Sequence, residues 1–319
     1  TYTCLLFLSR IKQTELRFAR SIPNKEELQA ASFSVVDQNK LGAESWSFSD
    51  ANMSALIKKL HSKAARLLDL PASMSRGSST GHDDAYMVGN ADARQLEPDI
   101  LRTPLFASDF GRYEFRPAGK LKIIFPYIKE GEKYDLIPEN ELKATFPRAY
   151  AHLNTYKSRL EKRKQFKNWI AFSAPRNLLL HEQAQIAIPL LANTGMFSLI
   201  PVELRGDLCP MASGGFTIAF HGSCELKPEY VLGLLNSCLL FWLLRRMSNV
   251  FRGGWITCTK QYVGELPIRQ INFSNNSDKA AHDKLVALVE KMLALHQQLA
   301  AAKTPQDTTL LQRQIAATD

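Results

Sequence analysis

The chain has little cysteine: Cys4, Cys209, Cys224, Cys238 and Cys258 are five among 319 residues, an odd number, widely spaced and mostly set in apolar sequence. That implies no disulfide framework and fits the reduced thiols of a cytosolic protein. No CxxC pair occurs, and Cys209, His221 and Cys224 are the nearest approach to a ligand set, so no metal site is expected. No apolar run approaches the ~18 residues of a bilayer span. The longest, around Leu234 to Leu244, is interrupted by Asn236 and Ser237, and no membrane is expected as a partner. Thr1 to Leu8 lacks the basic start and cleavage site of a signal peptide and reads instead as a buried strand. The expectation is that this sequence starts within a larger protein.

Catalytic signatures are equally scarce. There is no nucleotide P-loop ending in GK[ST], Ser213-Gly214-Gly215 makes no nucleophile elbow, and no histidine has a triad context. Asp99, Glu141 and Lys143 spell the letters of a metal-dependent nuclease, but at long spacing, and are read as incidental.

What is present is positive charge: 40 Lys and Arg against 31 Asp and Glu, a net +9, which favours anionic partners. The densest basic stretch, Lys157 to Trp169, contains Lys157, Arg159, Arg163 and Lys164; it reads either as a track for phosphates or as a solvated helix face. Arg76-Gly77-Ser78-Ser79-Thr80-Gly81 puts small residues and two glycines beside an arginine, either a phosphate cradle or a surface turn. Asn249 to Lys260 joins Arg252, paired glycines, Trp255 and Lys260. Loops of this make suit groove insertion, with Trp255 as a wedge or a core plug.

The periodicity predicts a helix from near Asp50, behind the caps Ser47 and Ser49, to Leu70, where Pro71 stops it. Short strands are expected at Phe33 to Val36, Lys122 to Tyr127 and Ile186 to Leu190, with helices over Ala149 to Phe166 and Glu229 to Met247. From Asp278 to Ala302, Leu285, Leu288, Met292, Leu295 and Leu299 form a seam over two heptads. Two heptads are too few for a dimer, so a monomer is expected, the helix folding back on the segment opened by Thr304-Pro305. The fold class is α+β: a mixed body with short sheets, preceded by a connector helix and followed by a C-terminal helical hairpin.

The order of several strings then resembles one family over most of the chain. Arg76 to Gly81 resembles an "RGxxTG" turn, Glu97 to Tyr113 a segment ending in "DFxRY", and Ile124-Phe125-Pro126-Tyr127 an "iifPY". Phe146 to Arg163 is similar to "fPxaYxyLxxxkxxLexR", Tyr230 to Ser237 to "YllglLNS", and Leu266-Pro267-Ile268 to a closing "LPI". The set resembles the C-terminal target-recognition region of TaqI-like adenine-N6 DNA methyltransferases and of the fused type II (IIG) restriction-modification enzymes related to them. Thr1 to Leu8 resembles the late catalytic-domain strand downstream of their NPPY motif, which this sequence lacks, as it lacks a cofactor loop.

The resemblance implies a division of the chain: 1–49 the tail of a catalytic methyltransferase domain and linker, 50–72 a connector helix, 73–275 the recognition domain, and 276–319 a helical segment. It implies a fragment that is not itself catalytic, which selects a sequence in double-stranded DNA and positions an adenine for a catalytic domain of the same polypeptide. S-adenosylmethionine is expected in that missing domain, with Mg2+ if an endonuclease is fused, and no cofactor here. The expected DNA contacts are Arg76, Ser78, Thr80, Arg112, Tyr113, Lys157, Arg159, Arg163, Lys164, Arg252, Trp255 and Lys260. Tyr127, Trp169, Tyr230, Leu232, Asn236 and Trp242 are expected to be structural. An RNA- or protein-binding module and a self-contained metal-dependent nuclease remain the alternatives.

Overall fold

The computed structural model describes residues 10, 11, 13–18, 33–40, 51–164 and 168–319. The strand expected at Thr1 to Leu8, the caps Ser47 and Ser49, Cys4 and Phe166 lie outside them. The chain divides into two compact units, Thr1–Ser62 and Lys63–Asp319. In the first, Glu15–Phe18 pairs antiparallel with Ser34–Asp37, and a helix runs over Ala51–His61.

The second unit is mixed α+β, as expected. One four-stranded antiparallel sheet has the order Ser198–Leu199, Ile186–Ile188, Phe216–Phe220, Ala72–Arg76. The other runs Leu208–Pro210, Leu101–Leu105, Leu121–Ile124, Met87–Gly89, with its first pair parallel and the rest antiparallel. Its core gathers Tyr86, Ile100, Ile123, Ile124, Leu142, Leu153, Leu160 and Ile170, all buried. Two aromatic hydroxyls in it are satisfied: Tyr86 donates to the Ile170 carbonyl at 2.9 Å, and Tyr127 accepts from the Phe172 amide at 2.7 Å.

Three helical expectations are corrected. The connector helix ends at His61; Ala64–Arg66 is a strand on Pro267–Arg269, and buried Leu67 begins a 3-10 turn. The helix expected over Ala149 to Phe166 is instead two, Pro147–Thr155 and Lys157–Leu160, broken at Tyr156. The stretch Glu229 to Met247 is also two, Pro228–Asn236 and Cys238–Met247, bent by 66° at Ser237. Ser237 takes an extended conformation and its hydroxyl accepts from the Leu240 amide, which is what an N-cap serine does. Among the described residues no single helix is long and apolar enough to cross a membrane.

The long C-terminal helix Asn276–Ala301 is capped by Asn275, and Pro305–Thr318 packs back on it behind the cap Thr304. Its buried stripe is His282, Val286, Val289, Met292 and Leu295, while Leu288 of the expected seam is exposed. The stripe starts on a different face from the seam because the helix also packs on Pro228–Asn236, where a Cβ on Gly233 would lie 2.8 Å from Val289 Cγ2.

Candidate functional site

The strand Ala72–Arg76 delivers the chain into Gly77 to Asp83, a loop held almost entirely by main chain. Gly77 donates to the Gly215 carbonyl at 3.0 Å and Ser78 to that of Pro210 at 2.7 Å. Ser79 exchanges bonds with Ala174, both 3.0 Å, and Ser173 donates to the Thr80 carbonyl at 3.1 Å. A Cβ on Gly77 would sit 2.4 Å from the Met211 carbonyl carbon, so only glycine permits this approach. Thr80 closes the turn: its hydroxyl accepts from the His82 amide at 3.1 Å and donates to the Asp83 carboxylate.

Two arginines hold the loop from behind. Arg163 donates through Nη1 to the Thr80 carbonyl at 2.5 Å, through Nη2 to that of Trp169 at 3.0 Å, and through Nε to that of Leu160 at 2.8 Å. Arg176 donates through Nη1 to the Gly77 carbonyl at 3.0 Å and the Ser79 hydroxyl at 3.1 Å. Below them His181 ties two strands together. Its Nε2 lies 3.1 Å from the Arg76 carbonyl oxygen, an acceptor, so Nε2 carries the proton and Nδ1 accepts from Thr217 Oγ1 at 2.8 Å. Burial pulls this imidazole down to about 4, so it is neutral near pH 7.

In front of the loop is a concavity of about 340 Å³ lined by Ser78 to Asp83 and Met211 to Ser213. Beside it, Lys157 lies 4.7 Å from the centre of the Trp169 ring and 3.3 Å from Glu139, whose carboxylate also accepts from Trp169 Nε1 at 3.0 Å. The Trp169 bond, with the Tyr150 and Lys157 contacts, holds Glu139 below the usual carboxylate range. Arg159 and Lys164 extend into solvent nearby.

A second surface element, Asn249 to Lys260, connects to the loop through Leu190. Cys258 donates to the Leu190 carbonyl at 2.9 Å, and Gly215, which bonds Gly77, packs against Leu190 so closely that a Cβ there would lie 2.6 Å from its nitrogen. Trp255 is half-exposed and is no core plug. Arg252 opens the short turn Arg252–Gly254, and Lys260 begins the helix Lys260–Val263 with its side chain exposed.

The expected contacts therefore divide. Arg76, Ser78, Thr80 and Arg163 share the loop; Lys157, Arg159 and Lys164 adjoin it; Arg252, Trp255 and Lys260 share the second element. Arg112 and Tyr113 stand elsewhere, with Arg112 bonded to Asp319 and to the Asn236 carbonyl. Ser78, Thr80 and Tyr113 are 0%, 0% and 7% exposed, so their side chains do not face a partner. Sequence reasoning missed Arg176, Asn177 and His181. Asn177, at φ +41°, donates to Ser75 Oγ at 2.8 Å, and only the tolerance of asparagine for left-handed backbone hinted at it.

Asp99, Glu141 and Lys143 are each exposed, and among the described residues no three His, Cys, Asp or Glu side chains are placed to hold a metal ion. Burial pushes the Cys209 and Cys258 thiols up to about 12.

No protein-family model matches the chain. It is 20% identical over 332 residues to the type II restriction enzyme and methyltransferase RM.Eco57I of Escherichia coli, covering 93% of this chain. It is 24% identical over 226 residues to the type II methyltransferase M.HindII of Haemophilus influenzae, covering 69% of this chain. The chain spans 33% of the length of the first and 42% of the second. Among solved structures it is similar to the type IIG restriction endonuclease BpuSI, with 13% identity, a TM-score of 0.48, and coverage of 89% of this chain and 34% of that one. It is also similar to the type IIL restriction-modification enzyme MmeI in complex with DNA, with 14% identity, a TM-score of 0.47, and coverage of 80% and 33%.

Proposed function

We propose that this chain is the duplex-reading, target-recognition part of an adenine-N6 DNA methyltransferase of the type II restriction-modification kind. One observation carries the geometry: Arg76, Arg159, Lys164 and Lys260 are exposed and make no ion pair among the described residues, around a rigid glycine loop and an exposed aromatic turn. Cations left free of carboxylates are what a polyphosphate surface requires. The curated relatives, named as methyltransferases and as a restriction enzyme, support the same reading.

In this reading Arg76, Arg159, Lys164, Arg252 and Lys260 meet phosphates or bases. Ser78, Thr80, Arg163, Arg112 and Tyr113 shape the surface, and Lys157, paired with Glu139, adjoins it. Residues 73–275 form the recognition domain, 276–319 a helical support, and 1–49 the join to a catalytic domain. The chain works as a monomer in a bacterial cytoplasm.

Methyl transfer needs S-adenosylmethionine, and the concavity at the glycine loop does not fit it. No Phe, Tyr, Trp, Leu, Ile or Val lines it to sandwich an adenine ring, and Gly77 is already closed against Met211. The cofactor, and the Mg2+ of any fused endonuclease, belong to the remainder of such an enzyme.

The test is binding of the chain to duplex DNA and to duplex RNA across a salt series. DNA is expected to bind better, with affinity falling steeply as salt rises, and Lys260→Ala or Arg76→Ala is expected to reduce the salt slope by about 1. Equal binding of RNA, or a slope that neither substitution changes, overturns the assignment.

A further inference from the structure

Val250, Phe251 and Trp255 are 41%, 47% and 36% exposed on one short turn, and the turn is ordered by its own bonds. Phe251 donates to the Trp255 carbonyl at 2.6 Å, Gly254 to the Phe251 carbonyl at 3.2 Å, and Val250 bridges Ile256. Gly253 and Gly254 adopt φ +77° and +78°, a backbone that other residues resist. Two consecutive glycines thus fold the chain tightly enough to leave a large part of both aromatic side chains in water, which costs free energy until something covers them.

The surroundings indicate what covers them. Between Glu229 and Glu265 the sequence carries Arg245, Arg246, Arg252 and Lys260 and not one Asp or Glu. Arg245 Nη2 lies 3.6 Å from where a Cβ on Gly254 would be, so a guanidinium borders the turn. Arg246 is held over the Trp242 ring, 4.6 Å from its centre. An apolar tip flanked by cations matches a base stack flanked by phosphates, since flat rings stack on bases whatever their sequence.

We infer that this turn is a wedge for double-stranded DNA, with Phe251 and Trp255 entering between two base pairs while Arg245 and Lys260 take the flanking phosphates. The inference rests on the duplex-reading assignment and adds to it a deformation of the DNA made by this chain itself, with Phe251 as a working residue. Insertion unstacks one step and kinks the duplex, and that step is recognised by how easily it opens rather than by hydrogen bonds to its bases.

The experiment selects duplexes from a random pool with the full chain, then scans the selected site with 2-aminopurine, whose fluorescence rises when it unstacks. The wild-type chain is expected to raise the signal severalfold at one step. Phe251→Ser with Trp255→Ser is expected to abolish that rise and weaken binding about tenfold, with the salt slope unchanged and the chain still folding cooperatively. Phe251→Trp is expected to restore the signal. If no duplex is selected at any salt, the DNA assignment itself fails and the wedge with it. If a duplex is selected but every position stays dark, or the double variant still brightens it, the wedge alone is overturned, and a protein partner with an acidic face becomes the occupant to seek.

Discussion

His181 makes the stability of the loop depend on pH in a direction set by its burial. Folded, its imidazole titrates near about 4; unfolded, near ~6.5, so between those values the unfolded chain binds more protons. Its contribution is complete above ~6.5, fades as pH falls through the window, and loses nothing further below about 4. At most about 3 kcal/mol is involved. Urea melts at pH 7.5, 5.5 and 4.5 are expected to show this excess loss in the wild type and not in His181→Gln, whatever the variant's absolute stability. Arg163 gives a second prediction at this scale. Arg163→Ala strips donors from the Thr80, Trp169 and Leu160 carbonyls and is expected to cost about 3 kcal/mol, whereas the neighbouring Lys164→Ala leaves melting unchanged and weakens DNA binding. Charge and local composition do not distinguish these two side chains, although the family string quoted above closes on Arg163. Their difference lies in carbonyls brought from positions 80 and 169, which local sequence does not contain.

Elements were legible where one face met one partner. The C-terminal hairpin was readable because Thr304 and Pro305 carry their own start signal, while the cap Asn275, which starts the long helix two residues ahead of the expected Asp278, was not. Helix breaks were not. Leu67 and Leu68 extend a helical pattern past His61, yet Ala64–Arg66 is captured by Pro267–Arg269, a tertiary pairing that overrides periodicity. Ser237 looked like a polar blemish in an apolar helix and proved to be a cap where the chain turns by 66°. The leucine seam held at Met292 and Leu295 and failed at Leu288, because the long helix also serves a second neighbour, and that contact is testable. Gly233→Ala is expected to drive a methyl into Val289 and Leu285 and cost about 2 kcal/mol, while Gly89→Ala, with open space around it, is expected to leave the melting temperature nearly unchanged.

At the scale of the molecule the α+β class was legible from composition and alternating patterns, but strand pairing was not, because both larger sheets join segments remote in sequence. Ala72–Arg76 lies beside Phe216–Phe220, and Leu101–Leu105 beside Leu208–Pro210. The same nesting explains why Arg76, Lys164 and Lys260 looked like separate signals when read along the chain. Each is near Gly77, Trp169 or Leu190, and those three are tied by hydrogen bonds and close packing. The outermost of these pairings, Ala64–Arg66 on Pro267–Arg269, brings the entry and exit of roughly two hundred intervening residues side by side, antiparallel and in register. A body entered and left at one doorway can be exchanged whole without stretching what lies on either side. Under the recognition role proposed above, a transplant spliced at Lys63 and Gln270 is expected to carry the donor's DNA sequence preference with it, read from the duplexes each chimera selects.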